Sequence, residues 1–236
     1  MTSVLVLGGG SELGVAIARE LDPEVAVLAG RAPDRLAATT IGRARVQAVP
    51  FDADATDEHE AQLDAAWAAA GGTVDVAVVA FGVLGDEWPG VDDPDASVAL
   101  LRTNALGAGS ALLRLAARLQ RQGSGAIVLL SSVAAERPRP ANYVYAAGKA
   151  GADFLARGIA DATGVRVLVV RPGFVPTQMT AGRKAPPLSA TPAQVARATV
   201  DALRRGRRVV YVPGSMRPLG LLVRALPGAV VRRLPR

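Results

Sequence analysis

A doubly wound α/β fold, with one parallel sheet and helices on both faces, is what this sequence predicts, on three observations. Short apolar runs of β-forming residues recur along the chain, segments with helical spacing separate them, and a glycine-rich turn joins the first run to the first helix. The runs are 4–7, 25–28, 44–49, 74–79, 126–130, 165–170 and 209–212. They are nearly continuous in Val, Ala, Leu and Ile, the pattern of strands covered on both faces. The clearest helical segments are 57–70, 96–121 and 142–162. Parallel neighbours need crossovers, and right-handed crossovers close such a chain as an open sheet between two helical layers. The Pro-rich stretch 172–192 reads as a mobile loop inside the domain, because strand–helix alternation resumes after it. The reading gives one domain over 1–213 and a separate basic segment over 214–236.

Composition removes several chemistries. The 236 residues suit one large α/β domain, half of them apolar, with a mean hydropathy of +0.26. With no cysteine, disulfides, thiolate catalysis and Cys-based zinc sites are not expected. His59 is the only histidine, so neither a histidine metal cluster nor a Ser–His–Asp triad is expected. Its neighbours Asp57, Glu58 and Glu60 place it at an exposed helix start. The first apolar run is too short for a signal peptide, and no stretch reaches the length of a membrane span. A cytoplasmic protein is expected.

The net charge of +6 is carried by the end of the chain: after Asp201 there are nine arginines and no acidic residue. Such a balance concerns a partner rather than the fold. No aromatic residues interleave these arginines, so nucleic acid is not the expected partner. In 214–236, Leu219, Leu221, Leu222, Val223, Leu226, Val230, Val231 and Leu234 alternate with five arginines. Such a segment can lie on an anionic membrane surface, line an entry for a lipid, or cover the core or a dimer seam.

The turn Gly8-Gly9-Gly10-Ser11-Glu12-Leu13-Gly14 leaves the first strand and opens the first helix. Gly8 permits a tight turn, Gly14 permits close helix–strand approach, and the free amides of the helix start suit a pyrophosphate. The second strand ends in Ala29-Gly30-Arg31, without the carboxylate that would bind the ribose 2′-hydroxyl of NAD. Arg31 suits the 2′-phosphate of NADP(H), or stands as a solvated arginine. Asp52, after the third strand, is placed to accept from an adenine amino group.

Tyr145-Ala146-Ala147-Gly148-Lys149 sets a phenol and an ammonium four residues apart on one helix face. A free tyrosine has a pKa near 10; a held cation is expected to lower it toward proton exchange with a carbonyl or alcohol. Tyr143 has Ala147, not lysine, four residues on. Ser131-Ser132 ends a strand thirteen residues before Tyr145, where a hydroxyl can bond a substrate carbonyl.

Glycine loop, Ser132, Tyr145 and Lys149, in that order and spacing, resemble the short-chain dehydrogenase/reductases over essentially the whole chain. The resemblance implies a Rossmann-type fold and an oxidoreductase acting on a CH–OH or ketone group with NAD(P)(H). It implies Tyr145 as general acid and Lys149 as ribose holder and pKa depressor. Ser132 would orient the carbonyl, and Asn104 would relay protons through a water. The nucleotide would be held by Gly8, Gly10, Ser11, Leu13, Gly14, Arg31, Asp52, Ala80, Gly82 and Lys149, and by Pro172, Gly173, Val175 and Thr177 of a Pro-Gly…Thr segment. Assembly through the long helices is implied too. Two departures stand out: Glu12 replaces a glycine, and Val79-Ala80-Phe81-Gly82 replaces Asn-Asn-Ala-Gly. A carboxylate beside a pyrophosphate is repelled, so the Glu12 side chain is expected to turn away from the cofactor.

The departures are themselves similar to one group, the actinobacterial decaprenylphosphoryl-2-keto-pentose reductases. The segments are 8–14, 74–86, 131–137, 141–145 and 171–179, with the basic, apolar C-terminus. This narrower resemblance implies reduction of decaprenylphosphoryl-2-keto-ribose to decaprenylphosphoryl-arabinose for cell-wall arabinan. It implies a flavoenzyme oxidase partner, NADH as cofactor, and a peripheral position on the inner face of the plasma membrane. NADH conflicts with the reading of Arg31, so NADH and NADPH both stand. A reductase for another ketone, or a silent dinucleotide sensor, are the alternatives. Arg137, Arg139, Arg183 and Lys184 flank the substrate side as phosphate ligands or solvated charges. Trp67 and Trp88 read as packing residues.

Overall fold

The computed structural model describes residues 2–85, 90–218 and 220. Most of the 214–236 segment, together with Trp88, lies outside them. The strands are β1 (Ser3–Leu7), β2 (Val25–Gly30), β3 (Arg45–Pro50), β4 (Val76–Val79), β5 (Ala126–Leu130), β6 (Arg166–Pro172) and β7 (Val209–Val212). All pair in parallel, in the order β3-β2-β1-β4-β5-β6-β7. The helices are α1 (Glu12–Leu21), α2 (Pro33–Leu36), α3 (His59–Ala69), α4 (Pro94–Leu101), α5 (Ala108–Gln122), α6 (Tyr143–Thr163) and α7 (Pro192–Arg204).

Side chains alternate across the sheet and feed two cores. From β1, Leu5 and Leu7 join Val25 and Val27 of β2 beneath α3, α5 and α6, where Leu63, Leu112, Leu115, Ala156 and Ile159 close the layer. Val4 and Val6, with Ala26 and Leu28, face the other way onto Ile17 and Ala18 of α1, Leu36 of α2, and Val195 and Ala196 of α7. Because both faces are covered, β1 and β5 have no exposed position, which is why their sequences carry no polar alternation. Helix α5 shows the matching spacing: Ala108, Ala111, Leu112, Leu115, Ala116 and Leu119 are its buried stripe.

Caps set the helix boundaries. Ser11 accepts the Gly14 N–H at the start of α1, and Thr191 with Gln194 forms a reciprocal capping box ahead of Pro192 in α7. Gly164, in the left-handed region, ends α6. The helix expected over 96–121 runs unbroken from Pro94 to Gln122, α4 passing into α5 through a π-helical turn at Arg102–Gly107. The Pro-rich loop is tied at its ends, since Ala190 N–H donates to the Phe174 carbonyl at 2.9 Å, and it contains one turn of 3₁₀ helix at Gln178–Thr180.

His59 corrects its expectation. It is fully buried, stacked on Phe51 with ring centroids 4.7 Å apart, and its Nε2 lies 3.0 Å from the Asp52 carbonyl. The charged neighbours point to solvent while the imidazole turns under the end of β3. Trp67 does pack, its ring half-buried beneath the Arg118 guanidinium at 5.4 Å and its Nε1–H donating to Gln122. Burial, opposed by the Asp52 carbonyl bond and aided by the Arg114 charge, lowers the His59 pKa below 6.5. Its contribution to stability is therefore complete above pH 6.5 and is lost as pH falls below that value toward the folded-state pKa. Thermal melts should hold level above pH 6.5 and decline below it, and a His59→Phe chain should lack that decline.

Candidate active site

Every loop that leaves the carboxyl end of a strand in the middle of the sheet brings a functional candidate to the same edge. From β1 comes the glycine turn. Gly8 has φ +87°, and a Cβ there would stand 2.6 Å from the Phe81 nitrogen, so the turn admits only glycine. Gly10 is exposed and open on its outer side, and Gly14 is buried against Val6 and Ala80. The intrahelical ladder begins with Val15 N–H donating to Ser11, while Ser11 Oγ takes Gly14 N–H. The amides of Glu12 and Leu13 are thus left over at the start of a ten-residue helix. Glycine cradle, free amides and positive dipole end fit a dinucleotide pyrophosphate.

At the end of β2, Arg31 is exposed. After β3, Asp52 is held by three bonds: Gln62 accepts its N–H at 3.1 Å, His59 meets its carbonyl, and its Oδ1 accepts the Asp54 N–H at 3.0 Å. Buried His59 is the floor of this corner, a role its charged neighbours in sequence conceal. After β4, Ala80 is buried and Gly82 lies between Asn104 and Lys149. A Cβ on Gly82 would approach Asn104 Oδ1 and Lys149 Nζ to 2.9 Å each. Asn104 occupies the π-turn, 1 % exposed, accepting the Val83 N–H at 2.9 Å and donating to the Val83 carbonyl at 2.7 Å. Its amide clasps the β4 loop, the arrangement the π-turn serves.

Ser132 follows β5 and caps a 3₁₀ turn, its Oγ accepting the Ala134 N–H at 3.1 Å. The Tyr145 phenol is hydrogen-bonded to Ser132. Lys149, one turn further along α6, is buried and donates to the Leu130 carbonyl at 3.0 Å. The electrostatics differ from expectation. Burial pushes the Tyr145 phenol up to about 12, against the lowering effect of Ser132. Burial also brings the Lys149 ammonium down to about 8. In the chain alone, burial is the largest cause at both groups. After β6, Pro172 and Val175 are buried, Gly173 donates to the Val212 carbonyl at 2.8 Å, and Thr177 is bonded to Thr180.

A buried ionic cluster beneath these loops carries no motif that the sequence reading used. Arg171 reaches Asp153 with two nitrogens, at 2.8 and 2.7 Å, and also meets Glu136 and Tyr211. Ser131 donates to Asp153 at 2.9 Å and Tyr211 donates to Glu136. Burial by itself would raise the Asp153 carboxyl, but Arg171, Ser131 and Arg157 outweigh it and hold it below the ordinary carboxylate range. Asp153 is one turn beyond Lys149, Ser131 and Glu136 flank Ser132, and Arg171 precedes Pro172-Gly173, so one cluster fixes three parts of the site. The signal in the sequence was Lys149-x-x-x-Asp153, four residues apart on one helix.

A parallel sheet with a glycine turn after β1 and a Ser–Tyr–Lys group at its carboxyl edge defines a Rossmann-type oxidoreductase architecture. A family description for short chain dehydrogenase matches residues 2–187, and the chain belongs to that family. It is 43 % identical over 242 residues to the uncharacterized oxidoreductase Rv2073c of Mycobacterium tuberculosis, covering 99 % of this chain and 97 % of that one. It is also 43 % identical over 243 residues to an uncharacterized oxidoreductase of Streptomyces coelicolor, covering 98 % and 95 %. A short-chain dehydrogenase from Burkholderia cenocepacia, solved in complex with NADP, shares the fold with a TM-score of 0.83 at 21 % identity, over 99 % of this chain and 98 % of that one. Among the described residues no helix is long and apolar enough to cross a membrane.

Two outcomes follow from this geometry. Arg171→Met should destabilise the protein by about 3 kcal/mol in denaturant titrations, because it strips buried Asp153 of its two-point partner and leaves only the half-exposed Arg157 on that carboxylate. Ketone reduction should show a level kcat/KM through neutral pH that falls above about pH 8 as Lys149 loses its proton. A Lys149→Arg chain, though slower, should not show that fall.

Proposed function

We propose that this chain is a nicotinamide-nucleotide-dependent ketone reductase whose general acid is Tyr145. The Ser132–Tyr145 hydrogen bond beside buried Lys149 carries this reading. When bound, the nicotinamide nucleotide supplies the hydride. Gly8, Gly10, Ser11, Leu13 and Gly14 would hold its pyrophosphate, Asp52 its adenine, Ala80, Gly82 and Lys149 its ribose, and Pro172, Gly173, Val175 and Thr177 its carboxamide end. Ser132 holds the substrate carbonyl oxygen, and Tyr145, a protonated phenol at neutral pH, donates to the alkoxide that develops there. Lys149, charged below about pH 8, stabilises the phenolate left behind. Asn104 keeps the Gly82–Val83 loop in register with Lys149.

Arg31, exposed where β2 ends without a carboxylate, supports NADPH; the resemblance to the keto-pentose reductases supports NADH. The same resemblance, in five segments spread from the glycine loop to Met179, supports decaprenylphosphoryl-2-keto-ribose as substrate. Cell-wall arabinan synthesis, a flavoenzyme partner and a peripheral place at the inner membrane face, through the basic C-terminal segment, follow from it. Leu106, Leu113 and Phe154 stand 60 %, 53 % and 73 % exposed on the π-turn, α5 and α6, which supports assembly of copies through these helices.

The test is nucleotide oxidation with enzymatically generated decaprenylphosphoryl-2-keto-ribose, comparing NADPH with NADH. Conversion to the arabinose epimer is the expected result. Tyr145→Phe should lower turnover by about 10²-fold or more while keeping nucleotide binding. Arg31→Ser should weaken NADPH by about tenfold and leave NADH unchanged. Nucleotide binding without turnover of this ketone would overturn the substrate and leave the reductase.

A further inference from the structure

Glu12 stands where the family has glycine, and the structure shows what its carboxylate does. Glu12 Oε1 accepts the backbone N–H of Gln178 at 2.7 Å, across 166 residues of chain. Gln178 begins the 3₁₀ turn of the loop after β6, and the first amide of any such turn has no partner within it. Within the turn, Thr180 N–H donates to the Thr177 carbonyl, and Thr180 Oγ1 accepts the Thr177 N–H. The Gln178 amide has no acceptor within the turn, and Glu12 supplies one. The carboxylate in turn sits in the first residue of α1, where the helix dipole favours negative charge. Both partners are thus at favourable ends.

We propose that Glu12 is a positioning residue that docks the Thr177–Thr180 turn onto the start of α1, so that the segments assigned to the pyrophosphate and to the carboxamide end of the nucleotide are held together before it binds. The assignment of those segments rests on the nucleotide-dependent reading above; the contact between them does not. Three features agree with a docking function. The loop is pinned at its base by Phe174 and Ala190 and on its far side by the Arg183 guanidinium donating to the Gly85 carbonyl at 3.1 Å. Glu12 is its tie to the glycine turn itself. The residues beyond the turn, Lys184 through Leu188, are exposed, so the loop's order depends on such ties. A charge beside a pyrophosphate site opposes binding, so an acceptor there is useful only if ordering the loop outweighs the repulsion.

This separates acceptor from charge. Glu12→Gln keeps an oxygen for the Gln178 N–H and removes the charge; Glu12→Ala removes both. In nucleotide-free protein, trypsin should cut after Arg183 or Lys184 about fivefold faster in Glu12→Ala than in wild type, with Glu12→Gln near wild type. In titrations with NADPH and NADH, Glu12→Ala should bind about fivefold more weakly than Glu12→Gln, the scale of one exposed charge-assisted hydrogen bond. Gln178→Pro, which removes only the donor and suits the first position of a helical turn, should accelerate the same cleavage. Adding Glu12→Ala to it should bring no further change, a coupling that general destabilisation would not show. Equal cleavage of wild type and Glu12→Ala, equal nucleotide affinity of Glu12→Ala and Glu12→Gln, or additive effects of the two substitutions would overturn the proposal. Failure of the wild-type chain to bind either nucleotide would overturn the functional reading instead, leaving the cleavage comparison to decide the docking contact.

Discussion

In this molecule β1 is paired in parallel with β2 on one side and β4 on the other, and the site depends on that placement. The chain winds outward from β1 to β3, returns across the sheet to β4, and winds outward again to β7. The crossovers that leave β1 and β4 therefore diverge to opposite faces, and a crevice opens between their carboxyl ends. Because every strand runs the same way, the glycine turn, Arg31, Asp52, Gly82, Ser132 and the Pro172–Thr177 segment all emerge at one edge. The arrangement is stable only because both sheet faces are apolar, with Leu5 and Leu7 committed to one core and Val4 and Val6 to the other.

Desolvation has opposite consequences in the two buried polar groups. Arg171, Asp153, Glu136 and Tyr211 satisfy one another, with Ser131 and Arg157 completing the shell, and Arg171 and Asp153 hold their charges inside the protein. Lys149 and Tyr145 have neutral neighbours, Leu130 and Ser132, and are accordingly pushed toward their uncharged forms. One cluster fixes the strand ends, while the other keeps a phenol protonated and an ammonium that loses its charge at a modest pH. A protonated phenol beside an ammonium still charged at neutral pH is what acid catalysis on a carbonyl uses.

Much of the fold was legible because buried parallel strands are nearly uninterrupted apolar runs, and all seven were found within a few residues of their observed ends. The helix boundaries were less so. The π-helical turn between α4 and α5 carries Asn104, which reaches across to Val83, and no local pattern over 96–121 encodes a contact with residue 83. His59 was read from its charged neighbours, whereas its burial is decided by Phe51 and Asp52 at the end of another element. The Asp153–Arg171 pair went unread for the same reason: its members are 18 residues apart on α6 and β6.

The sequence by itself determined the strand–helix alternation, the glycine turn, and the spacing of Ser132, Tyr145 and Lys149, because each depends on residues close together in the chain and on periodicities of two and 3.6. Tertiary structure alone decided the protonation of Tyr145 and Lys149, the clasp of Asn104 on the β4 loop, the ionic cluster under the site, and the partner of Glu12. Each of these depends on which distant groups exclude water from a side chain or offer it a hydrogen bond, and that is settled only when the crossovers bring the strand ends to one edge.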